Sequence, residues 1–352
     1  MKIVVVGKFH IEGFALHISQ TLEKLGHTVL KYEPGVRQDS LGGTFSKRCW
    51  QAKNSLYDLT GRIDWFRLRR IRKLVNMFEN NGINLTIVCH DYLYPREVEH
   101  LKKISKAPII LWFPDSICSF SRHLFLNSKY DAMFFKDPYI VSILRKTVKK
   151  NIYYLPECFN PISLSDVELE QEDYAIYECE LSTAGNLYSY RTAFFSQLTD
   201  YDVKIWGNPA PLWMDVSKIE PFIQGRFVAN EEKVKAFRLA KIVINSLHPG
   251  EIWGINARAF EVAGAGGFQM IDWRPGLDQL FVDGREIITF RGMKDMKEKI
   301  EYFLQRDEER LKIALGGRTR ANDEHTYEKR LECMFNTVLN DGNGYPVPEN
   351  LD

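Results

Sequence analysis

The chain has 352 residues, of which 45% are apolar and 26% charged, with a formal net charge of +1. That length is long for one core and favours two domains of ordinary size; the apolar share describes a globular chain. The near-neutral charge gives no global electrostatic case for nucleic acid or an anionic membrane, and no apolar run approaches the roughly 20 residues of a membrane helix.

From the amino terminus, Ile3 to Val6, a loop from Gly7 to Gly13, a helix from Phe14 to Leu25 ended by Gly26, and Thr28 to Tyr32 read as a βαβ unit. Met1 to Gly7 is too short for a signal peptide, and its all-apolar strand suggests a parallel sheet covered on both faces. The polar residues 34 to 60 carry no assignable period. Arg62 to Glu79 reads as a helix with one apolar stripe, Leu68, Ile71, Leu74, Val75 and Phe78. Its other faces carry Arg62, Arg67, Arg69, Arg70, Arg72 and Lys73. Two readings of this basic face stand: a solvated surface, or a dock for an anionic acceptor such as a lipid-linked glycan at a membrane.

Strands are expected from Leu85 to Cys89, Pro108 to Phe113, Asp131 to Phe135 and Ile152 to Leu155, with helices from Glu97 to Ser105 and from Pro138 to about Lys146. Loops beyond the carboxyl ends of such strands form the ligand crevice of an open α/β sheet. That rule puts His10, His90, Asp91, Asp115 and Lys136 on one rim, with Asp115 first and Asp91 second as candidates for a general base. Residues 161–173 turn acidic and read as a linker between a domain over 1–160 and a second over 174–324. A second alternation follows: strand Leu181 to Ala184, helix Arg191 to Leu198, strand Val203 to Trp206 and helix Glu231 to Ala240. The six cysteines lie far apart with no C-x-x-C pair, which argues against a zinc knot or disulfide scaffold and fits a reducing cytoplasm.

The stretch from Ser246 to Phe268 concentrates the chemistry. It follows a buried strand, Ala240 to Asn245, and passes through a Pro/Gly loop to Asn256, which stands where a helix N-cap belongs. Ala257 to Ala263 then forms the helix, Gly264, Gly266 and Gly267 end it, and Phe268 to Ile271 is the next strand. Unpaired amides and the helix dipole make such an N-terminus a site for phosphate. Arg258 adds a cation of fork geometry, and Glu261, one turn on, is placed to accept hydrogen bonds from a ribose diol. The plainer reading is an ordinary crossover, with Arg258 and Glu261 as a surface pair. Asp200-Tyr-Asp202, the one Asp-x-Asp, sits before a strand and reads as a turn. After Ile271 come a strand from Ile287 to Phe290 and helices from Met293 to Leu304, from Asp307 onward and from His325.

The motifs Gly254-Ile-Asn-x-Arg-x-Phe-Glu-x-x-x-x-Gly266, Leu280-Phe-x-x-Gly-x-Glu286 and His325-Thr-Tyr-x-x-Arg330 together resemble the CgeB-like (spore maturation protein) branch of the GT-B glycosyltransferases. Trp112-Phe-Pro-Asp115, Phe134-Phe-Lys-Asp-Pro138 and Leu155-Pro-Glu157 are similar to its companion domain. The resemblance implies two Rossmann-like, doubly wound parallel-sheet domains facing across a cleft, with residues 325–352 returning toward the first domain. It also implies a nucleotide-sugar donor on the carboxy-terminal domain and an acceptor on the other. By position, the Asn256–Ala259 turn with Arg258 would hold the diphosphate, and Glu261 the ribose. Gly254, Ile255, Asn256 and Ala257 would line the donor, as would Gly185 and Asn186. Arg191 would face the diphosphate from the other side. Gly225, in Phe222–Phe227, would meet the base, and His325 and Tyr327, which would start the crossing helix, would also line the donor. One departure stands out: the earlier of two family glutamates falls here on Trp253, with Glu251 two residues away, which leaves the stereochemistry open.

Together these readings give a cytoplasmic, metal-independent glycosyltransferase with a nucleotide sugar as substrate, no cofactor and no nucleic-acid partner, peripheral to a membrane if the basic helix docks there. Two alternatives accompany it: a sugar-nucleotide epimerase on the same fold, or a catalytically silent nucleotide-binding protein.

Overall fold

The computed structural model describes residues 1–34, 63, 68–119, 123–161 and 167–348. Two compact units divide the chain, Met1–Phe134 and Phe135–Asp352. The strands are β1 (Lys2–Val6), β2 (Thr28–Tyr32), β3 (Leu85–Val88), β4 (Ile109–Phe113), β5 (Ala132–Phe135), β6 (Ile152–Tyr154), β7 (Cys179–Ala184), β8 (Val203–Trp206), β9 (Ala240–Asn245), β10 (Gln269–Asp272) and β11 (Ile288–Phe290). They form a six-stranded sheet, β2-β1-β3-β4-β5-β6, and a five-stranded sheet, β11-β10-β9-β7-β8. Pairings of β1 with β2 and β3, of β7 with β8 and β9, and of β10 with β9 and β11 are all parallel.

The two sheets share one logic. In each, the first strand lies between the second and third, so the winding direction reverses beside it: between β1 and β3, and between β7 and β9. This reversal opens a crevice at the carboxyl strand ends, because the flanking helices diverge to opposite faces. Complete burial on both faces explains the strand composition. Every residue of β3, β4 and β5 is buried. Runs such as Ile109-Ile-Leu-Trp-Phe113 therefore lack the in–out alternation of a half-exposed strand.

Most expected elements form within two or three residues of their predicted bounds. The acidic run expected as linker through residue 173 instead ends in a helix, Gln171–Tyr177, whose first turn is closed reciprocally by Glu170 and Asp173. Residues 34 to 60 lie outside the described residues except Pro34, as do Arg62 and Arg67 of the basic helix. The described part of that helix, Arg72–Asn80, buries Leu74 and Phe78. Arg70 corrects the reading of a basic face: it turns inward onto Glu97, with Nε 2.9 Å from Oε1, and also donates to the Tyr92 carbonyl. Glu97 is completely buried, so this pair is structural. Arg69, Arg72 and Lys73 are exposed. Among the described residues no helix is long and apolar enough to cross a membrane.

Candidate active site

The reversal in the second sheet gathers the groups that the sequence singles out. β7 ends at Ala184, and Gly185 follows with φ +123°, a conformation side chains rarely adopt. Its amide donates to the Trp206 carbonyl, 2.8 Å away, so the backbone is fixed. A Cβ at Gly185 would lie 2.0 Å from Arg258 Nη2 and 3.1 Å from Arg191 Nη1. Glycine is required twice over: for its backbone, and because two guanidinium groups crowd the same point.

Arg191, on the helix Ser189–Phe195, is 1% exposed. It donates from Nη2 to Thr183 Oγ1 at 2.6 Å and from Nη1 to the Asn186 carbonyl at 3.0 Å, while Nε is buried without a partner among the described residues. Burial, and then the neighbouring Arg258, pushes its pKa down to about 9. Burial likewise lowers the pKa of Arg258, with Glu261 and Tyr188 opposing that shift. Arg258 donates no hydrogen bond to any described residue, and no described carboxylate forms an ion pair with either arginine. Two desolvated like charges held together are costly unless an anion joins them.

The helix Ala257–Ala265 supplies the other half. Asn256 caps it, its Oδ1 accepting from the Ala259 amide at 3.2 Å. A buried amide network fixes Asn256 in turn. Asn245, at the end of β9, exchanges two hydrogen bonds with it, at 2.9 and 3.0 Å. Gln269 of β10 accepts from Asn245 and donates to the Ala259 carbonyl at 3.0 Å. The amides of Ala257 and Arg258 lie in the first turn, outside the intrahelical ladder. The helix ends at Gly266, φ +83°. Arg258 and Glu261 do not form the surface pair of the plainer reading; Glu261 Oε1 instead lies 2.9 Å from Nζ of the buried Lys233.

The structure distributes the remaining candidates as follows. Asn186 is exposed, with its side chain bonded to Asn208. Gly225 has φ +61° and open space around it. Ile255 is a core residue, 2% exposed. Gly254 lets the chain pass Asp137, whose Cβ would be 3.1 Å from an added one. His325 and Tyr327 are corrections. His325 is wholly buried, with Nε2 2.7 Å from the Leu280 carbonyl and Nδ1 2.9 Å from Arg330 Nη2. Tyr327 is buried in its helix. Both hold the carboxy-terminal helix rather than line a ligand site, alongside Arg330, which donates to the Pro156 and Glu157 carbonyls.

In the first unit, His90 has a positive φ of 138° and its ring packs 4.7 Å from that of Phe113. Its Nε2 lies 3.3 Å from Oδ2 of the exposed Asp115. Asp91 is the weaker candidate: Oδ2 accepts from the Leu124 amide at 2.7 Å, Oδ1 is buried, and burial raises its pKa.

Sequence reasoning missed two sets of contacts. Lys136, expected on the rim, is buried and paired with Glu251 at 2.7 Å; the other oxygen of Glu251 is buried with no partner among the described residues. Asp137 joins its own helix to the loop before Asn256: Oδ1 accepts from Tyr139, and Oδ2 from the Ile252 and Trp253 amides at 3.1 Å each. Lys136 and Glu251 are 115 positions apart in the sequence, so no local signal could pair them. Among the described residues no cluster of His, Cys, Asp and Glu could hold a metal.

Residues 191–336 match the glycosyl transferase-like family, a span that contains Arg191, Arg258 and Glu261. No curated protein sequence matches the chain. Among solved structures, Anabaena HepE in complex with UDP and glucose is 10% identical, with a TM-score of 0.66 over 97% of this chain and 100% of that one. Sucrose-phosphate synthase from Thermosynechococcus elongatus is 9% identical at 0.66, again covering 97% and 100%. A glycosyltransferase from Rickettsia africae is 12% identical at 0.65, covering 97% and 99%. The chain has the GT-B fold of two Rossmann-like parallel-sheet domains.

Proposed function

We propose that this enzyme moves a sugar from a nucleotide-sugar donor to an acceptor without a metal ion, and that it belongs to the CgeB-like branch of the fold. The observation that carries the reading is the convergence of Arg191 and Arg258 on Gly185 at the strand reversal, beside a helix N-terminus and with no described carboxylate paired to either. As the anomeric C–O bond lengthens, its electron pair moves onto the departing diphosphate. The two guanidiniums and the first-turn amides at Ala257 and Arg258 are fixed in advance for that charge, and they act in a poorly solvated site. Glu261, steadied by Lys233, takes the ribose hydroxyls.

The acceptor hydroxyl attacks the anomeric carbon and gives up its proton to a general base. Within the first unit His90 lies against Asp115, while the Asp91 carboxylate already accepts from the Leu124 amide. The exposed Arg72 and Lys73 suit an anionic acceptor at a membrane surface, and we place the enzyme on the cytoplasmic side. Epimerase and silent-binder readings are not favoured, because the matched family is glycosyl transferase-like.

HepE was captured with UDP and with UDP-glucose, so UDP-sugars are the first donors to try. The test is release of UDP by the purified chain from a panel of UDP-sugars, together with the rise in Tm caused by UDP alone. Turnover by the wild type and its loss in a folded Arg258→Ala variant is the expected result. UDP raising the Tm of wild type and Arg258→Ala equally would sink the proposal.

A further inference from the structure

The helix Ser189–Phe195 has a second working face. Arg191, Phe194 and Phe195 point into the core. Ser189, Thr192, Ala193 and Ser196, at the i, i+3, i+4, i+7 spacing of one stripe, instead form a wall of a half-open cavity of about 350 Å³. The opposite wall comes from the segment 213–218. We propose that this cavity is a carbohydrate-binding site for an oligosaccharide, separate from the donor site.

Trp213 is 74% exposed at the mouth of the cavity, although a free indole is costly to leave in water. An indole face is suited to the C–H face of a pyranose, while hydroxyls and a carboxylate around it bond the ring's equatorial oxygens. The cavity offers that mixture. The Ser189 hydroxyl and the Lys218 ammonium have no hydrogen-bond partner among the described residues. Asp215 is held in place by the Ser217 amide, which donates to Oδ1 at 3.0 Å, and that contact lowers its pKa.

The platform is also rigid. Thr192 Oγ1 donates to Met214 Sδ at 3.1 Å, and the Met214 amide closes a turn on the Pro211 carbonyl at 2.9 Å. The buried Ile219 anchors the far end. Pre-set walls keep the entropy cost of binding low.

Leu212 beside it is also fully exposed, which suits a lipid surface as well. Polarity decides between them. The lining carries one acid, Asp215, and one base, Lys218, so it has no net positive charge to draw it to an anionic bilayer.

The test is a printed array of neutral and amino-sugar oligosaccharides probed with the full chain as wild type and Trp213→Ala. Trp213→Phe serves to assign the accompanying change in tryptophan fluorescence. We expect at least one oligosaccharide to bind the wild type and to bind Trp213→Ala at least tenfold more weakly. The Tm shift caused by UDP should be the same in both proteins, which separates failure here from failure of the donor assignment. Absence of binding to any glycan, or equal binding by Trp213→Ala, would overturn the proposal. So would a Trp213 signal that answers only to phosphatidylcholine–phosphatidylglycerol vesicles.

Discussion

Gly185→Ala tests the two-arginine arrangement most directly. At φ +123° an alanine is strained, at about 1–3 kcal/mol for a sparsely populated backbone region. Its Cβ would sit 2.0 Å from Arg258 Nη2, which lies at the end of a flexible side chain and must swing away, and 3.1 Å from Arg191 Nη1, which need give only a few tenths of an ångström. The backbone cost should appear as lost stability in denaturant unfolding. Displacing Arg258 should appear separately, as weaker binding of UDP by calorimetry. A charge-assisted hydrogen bond to phosphate is worth roughly 1.5–3 kcal/mol, about 10- to 150-fold in affinity. The cycle with Arg258→Ala separates the two effects. In that background the side chain to be displaced is gone, so Gly185→Ala should keep its stability cost and lose most of its effect on UDP. If it weakens UDP binding equally in both backgrounds, Arg258 does not reach the diphosphate and the reasoning fails.

Three further outcomes follow from the same structure. Asn256→Ala removes the cap and leaves the Asn245 side-chain oxygen without its donor, and should cost about 1–3 kcal/mol in chemical unfolding while weakening UDP binding; an unchanged midpoint would contradict the network. Lys136→Met leaves the Glu251 carboxylate buried and unpaired and should destabilise by about 3–5 kcal/mol, whereas Lys136→Met with Glu251→Leu should recover most of that; melting curves of the three proteins decide it. His325 is held neutral, its pKa lowered from 6.5 to about 3 by burial and then by Arg330. Between those values the unfolded chain binds a proton that the folded chain refuses, so stability should fall as pH drops below 6.5, by about 1.4 kcal/mol per unit. In His325→Gln that share of the slope should vanish.

Much of the capped-helix region was legible because its signals are local. A cap residue, a helix of suitable spacing and a terminal glycine lie within a dozen positions, and each answers to a short-range cause: an orphan amide, a dipole, a left-handed turn. The parallel sheets were legible for a similar reason, since strands buried on both faces carry uninterrupted apolar runs. The basic helix misled at Arg70, because charge in a sequence carries no record of the partner waiting 27 positions away in Glu97. His325 misled in the same way: a polar residue at a helix start reads as a ligand group until burial against Leu280 and Arg330 is known.

Composition and periodicity thus sufficed for two wound α/β layers and for a capped helix ready for an anion, since both arise from interactions a few residues long. Tertiary packing alone brought Arg191 and Arg258 to one glycine, paired Lys136 with Glu251, and turned the outer face of the Arg191 helix into a cavity wall. Those meetings depend on loop closure across tens to more than a hundred residues, and no local preference encodes which distant side chain will arrive.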